Sequence, residues 1–142
     1  LRSEVPVPHM QPHKLAPLAP PLAQARVALI TASGAYLQGQ EPFELSGDHS
    51  YRLVPAETPG DQVVFASGGY DHSDVNRDPN VMLPLERLQE LVAAGHVGSA
   101  TAAHIGFQGG GGDLDLVREQ LGPAVVSSLR EMHADAVLFT AG

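Results

Sequence analysis

The six residues Arg26–Thr31, RVALIT, place Val27, Ala28, Leu29 and Ile30 in an unbroken apolar row that stops at Ala32-Ser33-Gly34. A run of strand length that is apolar on both alternating faces suits a strand covered on both sides, the condition of a parallel strand with helices above and below. DQVVFAS, Asp61–Ser67, repeats the pattern and breaks at glycine, and DAVLFTAG, Asp135–Gly142, repeats it again. Between them, PLERLQELVAAG sets Leu85, Leu88, Leu91 and Val92 at helical spacing, with Pro84 suited to a first turn and Gly95 to the C-cap. A second helix is expected from Asp113 as N-cap, with Leu114, Val117, Leu121, Val125 and Leu129 on one face and a kink at Pro123.

This alternation predicts an α/β fold: three layers, a mostly parallel sheet flanked by helices, of the kind that makes half of a flavodoxin- or Rossmann-like unit. Such a sheet leaves unpaired edges when its strands are few, so completion by another chain or by a further C-terminal part is expected. The proline-rich stretch 1–25 reads as an extended arm, because each proline lacks a backbone donor. Residues 26–142 read as the α/β domain, the N-terminal part of a larger unit.

The chain has 142 residues and a formal charge of −8, from eight Lys plus Arg against sixteen Asp plus Glu. That sign disfavours nucleic acid as a partner, since phosphates require a basic face. No apolar run approaches the ~20 residues that span a bilayer, so a cytoplasmic protein without membrane contact is expected. With no cysteine, the chain offers no thiol nucleophile, and any divalent metal would have to sit on His, carboxylates and carbonyls.

In open α/β sheets ligands gather beyond the carboxyl ends of the strands. GGYDHSDVNRDPN, Gly68–Asn80, falls there and concentrates ligand-type side chains. His49, His72 and His104 stand in polar loops, and with Asp48, Asp71 and Asp74 they could serve acid/base chemistry or hold a metal. Against that stands the simpler reading that the aspartates close Asx turns and each histidine makes one hydrogen bond. His72, His104, Asp71 and Asp74 are the catalytic candidates, the carboxylates fixing an imidazole tautomer. His49, His72 and His104 are the metal candidates. Arg52 and Arg87 could clamp a substrate carboxylate through a planar fork, and Ser33 lies in the loop after the first strand. FQGGGGDLDL, Phe107–Leu116, reads as a turn and an Asp N-cap rather than a phosphate cradle, because it lacks the Lys-Ser/Thr of a P-loop. Asp78 and Asn80 read as ordering the start of the following helix.

ARVALITASGAYLQGQEPFEL, GDHSYRLVP, YDHSDVNRDPNVMLPLERLQELVAAGHVGS, HIGFQGGGGDL and DAVLFTAG together resemble the selenoprotein B family of glycine, sarcosine, betaine and D-proline reductases. The resemblance runs from about Ala25 to Gly142 and is most specific in YDHSD…N…PLERLQEL. It implies reductive cleavage of a C–N bond in a small amino acid or amine, with a Cys or selenocysteine located just past Gly142 or on a partner chain. It also implies that His72, Asp71, Asp74 and His104 surround the crevice, and that the chain works within an oligomer on a small-molecule substrate. The competing expectations are a metal-dependent lyase or hydrolase using the histidines and aspartates, and a non-catalytic partner subunit. Gly68 and Gly69, standing before YDHSD, depart from the family pattern.

Overall fold

The computed structural model describes residues 16–66, 71–110 and 113–141. Its strands are β1 (Arg26–Thr31), β2 (Ala35–Leu37), β3 (Tyr51–Pro55), β4 (Val63–Phe65), β5 (Ser99–Ala100), β6 (Ala103–Phe107) and β7 (Ala136–Thr140). Its helices are α1 (Ser73–Arg77), α2 (Leu85–Ala93), α3 (Leu114–Leu116) and α4 (Gly122–Glu131). A π-helical stretch, Val117–Leu121, joins α3 to α4. It falls immediately before Pro123, near the start of α4, where a missing N–H is harmless. The expected kink at this proline is thus a widened turn.

β1 is the spine. Along one edge it pairs in parallel with β7 over five residues, Val27↔Ala136 to Thr31↔Thr140. It also pairs in parallel with β5 near its start and with β6 near its end. β3 adds to β6 in antiparallel fashion, so the sheet is mixed. The stretch containing Asp61–Ser67 was expected in this sheet; instead β4 pairs antiparallel with β2 in a separate ribbon. The reason is the short loop after β1: Gly34, at φ +70°, turns the chain back as β2, which offers β4 a partner before it can reach the main sheet.

Val27, Leu29 and Thr31 share one face of β1, and the residues between them share the other. Val27 and Leu29 join Val54, Val75, Leu83, Leu85 and Leu88 in the core, so α1 and α2 cover that face. Ala28, Ile30 and Ile105, on the other face, are also buried. Burying each of the larger aliphatic side chains contributes about 1.5–3 kcal/mol, which makes β1 the costliest segment to disturb. α2 ends as the sequence foretold, with Gly95 at φ +74° after its last turn. Leu91, expected on its apolar face, stays 44% exposed.

The arm is docked at its inner end: Gly98 N–H donates to Leu22 O (3.0 Å) and Ser99 N–H to Ala25 O (3.1 Å). A β-carbon on Gly98 would lie 2.4 Å from the Gln24 backbone, so glycine is required for that approach. The outer arm, residues 1–15, lies outside the described residues.

β5 and β6 follow one another along the same edge of β1, and the chain breaks between them at Thr101-Ala102. There the ladder is finished by one backbone bond and one side chain. Thr101 N–H donates to Val27 O at 3.0 Å, while the next free donor, Leu29 N–H, goes to His104 Nδ1 at 3.1 Å. His104 is 1% exposed, and burial pushes its pKa down from 6.5 to about 4. Since Nδ1 accepts, the neutral ring carries its proton on Nε2.

His104→Leu strands the Leu29 N–H and should cost roughly 1–3 kcal/mol in urea unfolding, whereas His104→Asn, which keeps an acceptor, should recover part of it. The same group makes stability depend on pH. Its folded pKa lies below its unfolded value, so its full contribution is present above pH 6.5 and is lost as pH falls through about 4. Unfolding followed between these limits should show wild type losing up to about 3 kcal/mol from this source, a loss absent in His104→Asn.

Candidate functional site

β1, β6 and β7 end on one rim. Ala32 N–H donates to Thr140 O (3.0 Å), Gly34 N–H to Phe107 O (2.8 Å) and Gly109 N–H to Ala32 O (3.0 Å), while Ser33 forms an isolated bridge with Gln108. Two glycines make this crossing possible. A β-carbon on Gly106 would lie 1.9 Å from the Ala35 carbonyl oxygen, and one on Gly109 would lie 2.9 Å from Ala32.

Register then assigns the polar groups at this rim to one face. Thr31 and Thr140 are partners in the parallel ladder, Thr31 and Ser33 are two apart, and Ser33 and Gln108 are bridged. Their side chains continue the Val27–Leu29 row from apolar to polar. Thr31 and Ser33 are wholly buried, and their hydroxyls lie 2.8 Å apart. Thr140 donates to Ile30 O and to Met82 O at 2.5 Å, tying the rim to the segment that leads from α1 to α2. Sequence reasoning selected Ser33 and missed Thr31, Gln108 and Thr140. The available signal was that apolar strands end in a polar residue on the same face.

The segment that begins at Asp71 follows β4, whose end is held to the same corner by Ala66 N–H donating to Gly34 O. Asp71 accepts from Ser73 N–H at 2.9 Å at the start of α1, and that bond, with help from the Ser73 hydroxyl, holds its carboxyl below the usual range. His72 occupies the N-cap position, and its nearness adds a smaller lowering influence on the Asp71 carboxyl. Asp74 forms an exposed ion pair with Arg77. Asp78 accepts from Asn80, which in turn joins Glu86 at the start of α2, the ordering role expected of that pair. Asx turns therefore account for the hydrogen bonds of Asp71 and Asp78 described above, as the simpler reading foresaw. Gly68, Gly69, Tyr70 and Gly142 lie outside the described residues.

A second feature opens on the β3 side of the rim. Residues of the loop 41–50, His49 among them, with Arg52 and Gln120 line an open surface cavity of about 460 Å³. Arg52 braces this loop: its guanidinium donates to Glu41 O (2.9 Å) and Ser50 Oγ (2.6 Å) and lies 4.5 Å from the Phe43 ring centroid. Burial draws the Asp48 carboxyl upward, but hydrogen bonds from Ser50 and Glu44 outweigh it and leave the group below its ordinary value. His49 Nε2 accepts from Asp113 N–H at 2.9 Å, linking the loop to the N-cap of α3.

The expected convergence is therefore divided. Ser33 belongs to the rim at the end of β1, whereas Asp71, His72 and Asp74 lie at the start of α1. His49 and Arg52 line the cavity beside β3. His104 lies within the sheet, four residues before Gln108 on the same face and so about 13 Å along the strand. Arg87, exposed on α2, is engaged by Glu90 (2.9 Å) and Glu86 (3.5 Å). His49, His72 and His104 were expected as a possible metal set; among the described residues, no three His, Cys, Asp or Glu side chains gather as such a group.

The whole chain, residues 1–142, matches the family described as glycine/sarcosine/betaine reductase selenoprotein B. The chain belongs to this family. It is 38% identical over 142 residues to the D-proline reductase subunit gamma of Acetoanaerobium sticklandii, covering 100% of this chain and 59% of that protein. It is 27% identical over 143 residues to the glycine reductase complex component B subunit gamma of Carboxydothermus hydrogenoformans, covering 97% of this chain and 33% of that protein. The chain thus spans under two thirds of the length of either relative. No solved structure matches it. Among the described residues, no helix is long and apolar enough to cross a membrane.

Gly106→Ala should force the Ala32–Ala35 crossing off β6, at a cost of roughly 1–3 kcal/mol or more in chemical unfolding. Gly110→Ala, where nothing lies within 4 Å of the new carbon, should stay within about 0.5 kcal/mol of wild type.

Proposed function

We propose that this chain is a subunit, or the N-terminal portion, of a reductase that cleaves a C–N bond in a small amino acid or amine. The observation that carries the reading is the family match over the entire chain. Cleavage consumes two electrons and two protons: the carbon leaves with a new C–H bond, and the nitrogen leaves as an amine. A selenol or thiol pair supplies the electrons and ends joined as an Se–S or S–S bond. With no cysteine among these 142 residues, the pair in this proposal comes from beyond Gly142 or from a partner chain. A selenolate or thiolate at the carboxyl rim of a parallel sheet would stand where such folds collect ligands.

The remaining roles in this proposal fall to the start of α1 and to the rim. His72 transfers a proton to the departing nitrogen, Asp71 and Asp74 set the charge around it, and Ser33 contributes to substrate binding. Arg52 shapes the neighbouring loop, and His104 supports the strand from which the rim extends. Among the described residues β7 pairs with β1 alone, and its Val137, Leu138 and Phe139 are 43%, 50% and 57% exposed, an apolar exposure that supports a larger unit. A further strand laid against β7 would cover them.

The test is to assemble the reductase containing this chain and supply D-proline, glycine, sarcosine and betaine with a dithiol reductant. The expected result is an amine or ring-opened product formed with stoichiometric dithiol oxidation, and a His72→Gln enzyme whose kcat falls roughly 10²–10⁴-fold. An assembled, folded complex that oxidises no dithiol with any of the four would refute the reading.

A further inference from the structure

Among the described residues β4 pairs with β2 alone, and the register fixes which of its backbone groups are left over. Gln38 N–H donates to Gln62 O and Ala66 N–H to Gly34 O, both at 3.0 Å, so the bonded pairs of this antiparallel ribbon alternate, with Tyr36 and Val64 as the one between. Residues of the other pairs point their N–H and C=O outward. Leu37 N–H accordingly turns to Gln40 Oε1, and the Ala35 carbonyl lies against Gly106. On β4 the outward groups are Val63 C=O, Phe65 N–H and Phe65 C=O, while Val63 N–H closes its own turn on Gly60 O. Among the described residues nothing bonds to these three. Buried backbone groups are nearly always paired, and Phe65 is 7% exposed.

Room lies beside them. A cavity of about 380 Å³ is lined by Asp61, Val63, Val64 and Phe65 on one side and by Val75 and Asn76 of α1 on the other. Val64 points to the opposite face of β4 from Val63 and Phe65, so a space that touches all three runs along the free edge. Gln38 closes one end by donating to Asp61 O at 3.4 Å. The Asn76 carboxamide and the Asp61 carboxylate have no hydrogen bond or ion pair among the described residues. Apolar walls with a few fixed polar groups are the makeup of a small-ligand site.

The edge also states what it would hold. Val63 C=O and Phe65 N–H, two residues apart, are the acceptor and donor to which one residue of a parallel neighbour bonds. A free amino acid carries the matching pair, an ammonium N–H and a carboxylate oxygen, and its charges strengthen both bonds. Asp61, two residues before Val63, favours the ammonium at that end, and Asn76 offers the carboxylate a further N–H.

We infer that the free edge of β4, facing α1, binds the main chain of a small zwitterionic amino acid as though it were one residue of an added strand. This rests on the reductase reading for the nature of the ligand and adds the place in this chain where the substrate sits. α1 joins that place to His72, because Asn76 N–H donates to His72 O at 2.9 Å, one turn away. The Ala66–Gly34 bond sets the end of β4 beside Ser33.

Hydrogen exchange at the Phe65 amide and equilibrium binding, both in the assembled reductase, test the assignment. Saturation with D-proline should slow Phe65 exchange at least about tenfold. Pyrrolidine, which lacks the carboxylate, and cyclopentanecarboxylate, which lacks the amine, should each bind at least about tenfold more weakly than D-proline. Asn76→Trp, at an exposed position that lines the cavity, should raise the dissociation constants of D-proline, glycine and sarcosine at least about tenfold. Ala93→Trp, which fills a separate cavity beside α2, should leave them within about threefold. The exchange measurement uses wild type, so a poorly folded variant does not leave the question open. Phe65 exchange that D-proline does not change, unaltered binding in Asn76→Trp, or no binding of any of the three amino acids would overturn the site. Phe65 exchange already slow in the assembled reductase before any amino acid is added would also overturn it, and would assign the edge to a partner's strand. Dithiol oxidation that continues at wild-type KM in Asn76→Trp removes the site alone. Binding that slows Phe65 exchange without any dithiol oxidation removes the reductase reading and leaves the site standing.

Discussion

Everything in this structure depends on β1 being paired along both edges. On one edge β7 supplies a continuous parallel ladder, and on the other β5 and β6 share the pairing across a break. The break would leave the Leu29 N–H without an acceptor in the densest part of the core, and His104 Nδ1 fills that place. An imidazole suits this position because it reaches across the gap, offers one lone pair, and tolerates burial when neutral. The cost is a dependence on pH, since the proton that would charge the ring also removes the bond.

From that spine the chemistry at the rim follows geometrically. The face of β1 that begins with Val27 and Leu29 ends with Thr31, and the chain then crosses the end of β6 closely enough to require Gly106 and Gly109. This crossing buries Thr31, Ser33 and Gln108 together. Two hydroxyls and a carboxamide thus close the end of an apolar row inside the fold. The acidic, Asx-rich segment that opens α1 is ordered by its own backbone bonds, with His72 positioned at the start of that helix.

The cavity beside β3 has a different character. Arg52 and Asp48 hold its loop together, with Asp48 accepting from both Ser50 and Glu44 and the Arg52 guanidinium spread over Phe43. These groups are engaged in shaping the loop, and the cavity is an outcome of that bracing. The rim near β1 differs in having an acceptor left over.

Sequence periodicity determined the class of fold, the buried character of β1, the span of α2 with its glycine stop, and the Asp113 cap, because these depend on neighbours within a few residues. The family was legible separately, in the resemblance of the YDHSD and PLERLQEL motifs. What it left undecided was whatever depends on residues far apart in the chain. Asp61–Ser67 has the composition of a core strand, yet β2 captures β4 in a ribbon of their own. His72 and His104 look alike in sequence, but one starts a helix at the surface and the other closes a gap in the sheet. Gln108 has no local signature at all. Its meaning arises only when Ser33, seventy-five positions earlier, is folded against it. Local pattern is set by side-chain alternation along the chain, whereas the partner of a buried polar atom is set by which strands lie side by side.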